Sequence, residues 1–154
     1  MLINRPVRVK REILRKLNAI TKESGAQYTP TVRTLEDFFD PQADVEVCLE
    51  ALGYEYAPDE ETPIGHTSID LRYQINVMVS RALANDNTPI DEVCLLVCGD
   101  IEAAIMDDTT QNGDAQWTRF ESVVPFDQQL EGYYLWSMTF TCRATYDIDQ
   151  PFSA

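Results

Sequence analysis

The sequence contains few of the residues from which catalytic sites are usually built. Histidine occurs once, at His66, and no motif of a serine hydrolase, a phosphate-binding loop, a dinucleotide-binding fold or a zinc protease is present. General acid–base catalysis usually needs a histidine or a pair of carboxylates in a pocket. His66 follows a glycine at the start of a strand pattern, which is typical of a surface or turn residue. The sequence therefore predicts no catalytic residue, and an enzyme is the least favoured function.

Patterns for metal binding and disulfide bonding are equally scarce. The cysteines lack the paired C-x-x-C spacing of a zinc site, so we expect reduced thiols, no metal site and no cofactor. Residues 85–87 lack the spaced ligands and the closing glutamate of a calcium loop. Asp107, Asp108 and Asp114 offer oxygen ligands, but a solvated polar loop is the favoured interpretation. The four cysteines are Cys48, Cys94, Cys98 and Cys142.

Long apolar runs are also absent. No run approaches the roughly 20 residues that cross a bilayer, and the first residues lack the apolar core of a secretion signal. We therefore expect a single domain that is made in the cytosol and does not enter a membrane. Its 154 residues are enough to bury about two-thirds of the unfolded surface.

Positive charge is scarce and is concentrated at one end of the chain. The net charge is −14, yet residues 1–33 carry eight basic and two acidic residues, a balance of +6. Residues 34–154 carry four basic and 24 acidic residues, a balance of −20. An acidic body repels nucleic-acid phosphates, whereas a cationic segment suits docking onto a second copy or another acidic partner. A solvated basic helix face without a partner is the alternative interpretation.

Two segments show the three- and four-residue apolar spacing of amphipathic helices. The first is expected at residues 6–22 and is followed by Gly25, which can take a left-handed cap. The second is expected at residues 88–106, with Thr88 as its N-cap and Pro89 as its first helical residue. Because the second segment is the more apolar, we expect it to be the main cover of a sheet.

Alternating apolar and polar residues predict strands, and two of these strands are unusually long. Residues 67–80 and 133–146 match in length and pattern, so we expect them to be antiparallel neighbours. A straight strand of this length spans roughly 46 Å, so residues 67–80 either bend at a bulge or reach beyond their own domain. We expect at least one end of the pair to lie outside the core and to contact another chain. Further strands are expected at 29–34, 45–52 and 117–124.

Three segments are expected to lack regular structure. Residues 53–65 hold four acidic residues and two prolines, which predicts a flexible loop unless another chain holds it. Residues 35–41 predict a loop whose aromatic residues, Phe38 and Phe39, tuck under the core or, alternatively, face a partner. The tail at residues 147–154 is expected to be loosely held.

The order of these elements predicts the fold class. Helix, strands, helix and strands indicate an α+β domain with a mostly antiparallel sheet of about four to five strands. Two of the strands are long, and two helices are expected to cover one face of the sheet.

Together with the acidic loop after a first strand, four stretches resemble the tail terminator proteins (tail completion, or neck, proteins) of long-tailed bacteriophages. They are VKREILRKLNAI at 9–20, LRYQINVMVS at 71–80, IDEVCLLVCGDIEAAIMDD at 90–108 and YLWSMTFTCRATYD at 134–147. In that family an I-L-x-x-L helix comes first, a helix containing I-E-x-A-I-x-x-D precedes the last strands, and the final strand ends in tyrosine. Here the later helix pattern lies on Ile101, Glu102, Ala104, Ile105 and Asp108, Leu96 precedes it in the same helix, and Tyr146 closes the last strand. Residues 53–65 are longer and more acidic than in the family.

The resemblance implies a structural virion protein that forms a homohexameric ring at the head-proximal end of the tail. Such a ring ends growth of the tail tube and joins the tail to the head, and viral DNA passes its lumen without specific binding. Its partners would be copies of itself, the tail tube protein and the head-completion or connector proteins, with assembly in the host cytoplasm. The subunit interface is expected to pair basic residues of the first helix region with the acidic loop: Arg8, Arg11, Arg15 and Lys22 with Glu55, Asp59, Glu60 and Glu61.

Two other functions remain open at this stage. One is another head–tail joining protein or minor tail protein of a phage. The other is a small acidic α+β module that binds a ligand in a cleft between sheet and helix.

Overall fold

The computed structural model of the protein describes residues 4–38, 40–127 and 129–147. Within these ranges two α-helices and five strands form one α+β unit, as the sequence predicts. The helices are α1 (Arg5–Asn18) and α2 (Ile90–Met106). The strands are β1 (Thr31–Arg33), β2 (Val45–Tyr56), β3 (His66–Ser80), β4 (Trp117–Pro125) and β5 (Tyr133–Asp147).

The five strands form one mixed sheet in the order β1-β2-β3-β5-β4. Every pairing is antiparallel except that of the short strand β1, which runs parallel to β2. The prediction of a mostly antiparallel sheet is therefore confirmed.

The two long strands are neighbours along their whole length. β3 and β5 pair without a register shift from Ser80 opposite Tyr133 to His66 opposite Asp147. The predicted pairing is therefore confirmed, and the bulges lie in the flanking strands β2 and β4 instead. Because both long strands lie inside the sheet, neither offers a free edge along most of its length.

Most of the core lies on one face of the sheet, here called the inner face. The odd-numbered residues of β3 from Ile69 to Val79 and the even-numbered residues of β5 from Trp136 to Tyr146 point there. The buried residues of α1 and α2 belong to the same hydrophobic cluster as these strand residues. The regular alternation along each strand explains the division, since successive side chains point to opposite faces.

The opposite, outer face is mainly polar and carries one small apolar cluster. Phe38 is fully buried there against Cys48, Met78 and Leu135. The predicted burial of Phe38 is therefore confirmed, whereas Phe39 lies outside the described residues.

The helix ends differ from the sequence prediction. α1 ends at Asn18, and Gly25, with φ of 103°, caps a short 3₁₀ turn at Lys22–Ser24 instead. Pro89 is extended, with ψ of 160°, so α2 begins at Ile90 and Pro89, not Thr88, is the N-cap, without a side-chain capping hydrogen bond. Between residues 4 and 147, apart from the undescribed positions, no helix is both long and apolar enough to cross a membrane.

The segment predicted as an acidic loop is partly a strand. β2 continues to Tyr56 because residues 53–56 pair with residues 69–72 of β3. Asp59–Glu61 then forms a 3₁₀ turn before β3 begins at His66. In the predicted tail, Asp147 belongs to β5, and residues 148–154 lie outside the described residues.

Candidate protein-binding surface

The second half of β2 is the most exposed part of the sheet. Residues 45–49 are buried, whereas residues 51–56 are all exposed. β1 covers the edge of β2 only at residues 46–48, so the rest of this edge has no neighbouring strand among the described residues. We use the name arm for residues 51–73. The arm comprises this half of β2, the connection to β3 and the first half of β3.

A β-bulge at Leu52 determines which residues of the arm face the helices. Ala51 lies opposite Tyr73 and Gly53 lies opposite Arg72, so Leu52 has no partner in the register. Gly53 has φ of 104°, a left-handed conformation that glycine adopts without steric cost. The bulge shifts the alternation of β2 by one residue. Without it, Tyr54 would point to the outer face.

As a result, two tyrosines lie on the inner face beside the core, on the uncovered part of β2. Tyr54 and Tyr56 lie opposite Leu71 and Ile69, and their rings pack edge to face with centroids 6.2 Å apart. Tyr54 is 47% exposed and Tyr56 is 66% exposed. This is the end of the sheet at which α1 begins.

An apolar groove of about 310 Å³, here called the arm groove, separates the start of α1 from the arm. The hydroxyl of Tyr73 donates a hydrogen bond to the carbonyl oxygen of Pro6 at 3.2 Å, which fixes the helix against the sheet at the base of the groove. Burial raises the pKa of Tyr73, so this hydroxyl stays protonated. The lining residues are Asn4, Pro6, Val7, Lys10, Ala51, Gly53, Tyr54, Leu71 and Tyr73.

A second cavity, of about 350 Å³, lies on the outer face of the same end of the sheet and is lined by charged residues. Its centre is Arg143, which donates hydrogen bonds to both carboxylate oxygens of Asp70 at 2.7 and 3.0 Å. Arg143 also pairs with Glu61 of the arm at 2.9 Å and lies over the ring of Trp117. The hydrogen bond to Asp70 raises the pKa of Arg143. Arg143 is therefore paired within the chain, and its ion pair with Glu61 attaches the arm to the rest of the sheet.

The basic residues expected at an interface divide into two groups. Arg8 pairs with Asp114 at 3.1 Å, and Arg15 pairs with Glu12 at 2.6 Å. Arg11 and Lys22 are exposed on the surface. The basic face of the first helix region is therefore partly used inside the chain.

The acidic residues expected at the interface divide in the same way. Glu61 pairs with Arg143, and Glu55 lines the outer-face cavity. Asp59 and Glu60 are exposed on the 3₁₀ turn of the arm. Glu61 is thus already paired within the chain, although all four of these acidic residues are exposed.

Sequence reasoning missed the tyrosines of the arm and the buried lysine Lys16. Gly53, directly after the strand predicted at 45–52, was the available signal for a bulge. Lys16 follows the basic pattern of its helix, so no local signal distinguishes it from its exposed neighbours.

The described residues contain no group of three or more histidine, cysteine or acidic side chains arranged to hold a metal ion. Asp108 instead accepts hydrogen bonds from Thr110 and Asn112, and Asp114 binds Arg8. His66 is exposed at the start of β3, where its ring nitrogens face the carbonyl oxygen of Ile64 and the carboxylate of Asp147.

Comparison with known proteins adds no assignment. No protein-family model and no curated protein matches this chain.

Proposed function

We propose that this protein is a structural component of a phage tail, a terminator whose copies form a ring at the head-proximal end of the tail tube. The observation that carries the proposal is the concentration of exposed apolar side chains at the arm. Nine large hydrophobic residues are exposed among the described residues, and five of them lie on the arm or beside its groove: Val7, Leu52, Tyr54, Tyr56 and Ile64. Exposed apolar residues that cluster in this way are typical of protein-binding surfaces.

The sequence resemblance supplies the kind of assembly. It implies a closed ring of six copies that ends tube growth and connects the tube to the head-completion or connector proteins. The balance of −20 over residues 34–154 suits such a ring, because an acidic wall repels DNA that moves through the lumen.

The structure favours side-chain contacts over strand addition between copies. β3 and β5 are internal strands, so the long strands themselves are not available for pairing with another subunit. Among the described residues the edge strands are the short β1 and β4, and β2 is also uncovered beyond its pairing with β1. β2 and β4 each carry a bulge, at Leu52 and at Glu121. Bulges and charged residues on edge strands oppose edge-to-edge pairing. At the ends of the β3–β5 pair only His66 and Asp147 are exposed, whereas most residues from 51 to 66 of the arm are exposed. The arm therefore offers more side chains for a contact between copies than the ends of the long strands do.

The test is the mass and shape of the purified protein at high concentration. We expect light scattering to give six times the chain mass of 17.5 kDa, and negative-stain images to show rings with a central hole. Added to tail tubes of the same phage, the protein should cap one end and stop further growth. A monomer that neither forms rings nor binds tube ends would overturn the proposal.

Another head–tail joining protein or minor tail protein is the nearest alternative. The position of the gene separates the two, because a terminator gene should lie between the head-completion genes and the tail-tube gene. Binding to the side of the tube or to the distal tip would identify a minor tail protein instead.

The arm groove supports a second candidate, a small acidic module that binds an apolar ligand. Its volume of about 310 Å³ is at the lower end of the range for small-molecule pockets. A monomer that binds an apolar fluorescent dye, and loses this binding on Val7→Asp, would favour this function over the ring.

A further inference from the structure

We propose that the tip of the arm, with Ile64 at its apex, inserts into the arm groove of a second copy of this chain. This inference rests on the proposed ring. It adds to that proposal the two surfaces that join neighbouring subunits.

Ile64 is the most exposed large hydrophobic residue described, with 102% relative exposure. The backbone around it forms a turn, in which the amide of His66 donates a hydrogen bond to the carbonyl oxygen of Pro63 at 3.1 Å. Gly65, with φ of 82°, completes this turn. The turn therefore holds an isoleucine side chain away from its own subunit.

The arm groove offers the apolar surface that Ile64 lacks. Val7 and Tyr54, which line it, are 38% and 47% exposed, so the groove is open at its surface. Because Ile64 is fully exposed, it does not occupy the groove of its own chain. A second copy can supply both an occupant for this groove and a groove for this tip.

The charges around the two surfaces are opposite. Asp59 and Glu60 are exposed on the arm close to the tip in sequence, whereas Lys10 lines the groove and Arg11 is exposed next to it on α1. Charge complementarity of this kind steers association and fixes the register of docking. Since tip and groove are different surfaces of one chain, their contact is head-to-tail and generates a ring when the rotation closes.

Disulfide trapping between two variants tests the contact directly. Val7→Cys and Ile64→Cys are placed in separate chains of different mass, mixed and oxidised, and we expect the mixed disulfide to be the main product. Ile64→Cys mixed with Leu95→Cys is the matched control, because Leu95 is 53% exposed on α2, outside the groove lining. The native cysteines are all buried and give little background.

Substitution tests the energetic role of the tip. Ile64→Asp should weaken assembly at least about tenfold, as truncation of an interface hot spot does. Leu35→Asp is the control: it replaces a hydrophobic residue that is 49% exposed and does not line the groove, and it should leave assembly unchanged. Because Ile64 is fully exposed in its own chain, the Ile64→Asp monomer should keep the unfolding midpoint of the parental monomer.

The outcomes separate this inference from the proposed ring. A ring of six copies without the Val7–Ile64 disulfide, and with assembly unaffected by Ile64→Asp, overturns the tip contact and leaves the ring intact. A disulfide-trapped dimer that never grows larger supports the contact and overturns the hexameric ring. A monomer without the disulfide overturns both.

Discussion

The Nζ atom of Lys16 lies 2.8 Å from Oε1 of Gln111, and both side chains are buried between α1 and the end of α2. Lys16 also donates hydrogen bonds to the carbonyl oxygens of Ile105 and Asp108, at 3.1 and 2.8 Å. The last carbonyl groups of a helix have no partner within the helix, and a cation there is favoured by the helix dipole. Lys16 therefore joins the two helices by capping the C-terminus of α2.

Lys16→Met should destabilise the protein by about 2–4 kcal/mol, because it leaves buried hydrogen-bond acceptors without their donor. Methionine keeps most of the side-chain length, so lost packing contributes little. The measurement is the free energy of unfolding in urea. Lys22→Met, at an exposed lysine, is the matched control and should change stability by no more than about 0.5 kcal/mol. Equal effects of the two substitutions would contradict the capping role.

The strands and the core could be predicted from the sequence because alternation is a local property. In β3 and β5 every second residue is apolar, and these residues form the inner face as expected. The burial of the cysteines follows from the same patterns, since Cys94 and Cys98 lie one helical turn apart on the buried side of α2.

The candidate site was less predictable because it depends on one irregularity and on contacts distant in sequence. A simple continuation of the β2 pattern places Tyr54 on the outer face, whereas the bulge at Leu52 turns it toward α1. The partners of Arg143 and Lys16 come from other elements, so no spacing along the chain reveals them.

Gly53→Ala should destabilise the protein by about 1 kcal/mol, because φ of 104° is unfavourable for a residue with a β-carbon. No atom lies within 4 Å of the added carbon, so backbone strain is the cause. Gly99→Ala is the matched control. Gly99 lies in α2 with equally open surroundings, and alanine there should stabilise by about 0.5–1 kcal/mol. Effects of the same sign at both glycines would contradict the bulge geometry.

Asp108 should make the protein less stable in acid. Hydrogen bonds from the hydroxyl of Thr110 and from the backbone N–H groups of Asn112 and Thr110 lower the pKa of Asp108 from 3.8 to about 2. Because the pKa is lower in the folded state, the stabilisation is present above about pH 4 and is lost as the pH falls toward 2.

Urea unfolding measured between about pH 5 and pH 2 checks this expectation. Asp108→Asn removes the titrating group, and Thr110→Val removes the largest cause of the shift. Both variants should therefore show a weaker loss of stability on acidification than the parent protein. An unchanged acid dependence in both variants would show that the carboxylate of Asp108 does not contribute.

The four thiols should be unreactive in the folded protein and fully reactive after unfolding. All four cysteines are buried, and burial raises the pKa of Cys94 and Cys98 to about 12 and that of Cys142 to about 11. Burial also raises the pKa of Cys48. The thiolate is the reactive form, so reagent access and thiolate population are both low near pH 8.

Titration with a chromogenic disulfide reagent should therefore label none of these four thiols rapidly in buffer, and all four in denaturant. The Ile64→Cys variant is the positive control, because a cysteine at this fully exposed position should add one rapidly reacting thiol. If Ile64 is covered by a neighbouring subunit, that additional thiol should react more slowly in the assembled protein than in a diluted monomer. Rapid labelling of two or more thiols in the folded parent protein would contradict the observed burial of Cys48, Cys94, Cys98 and Cys142.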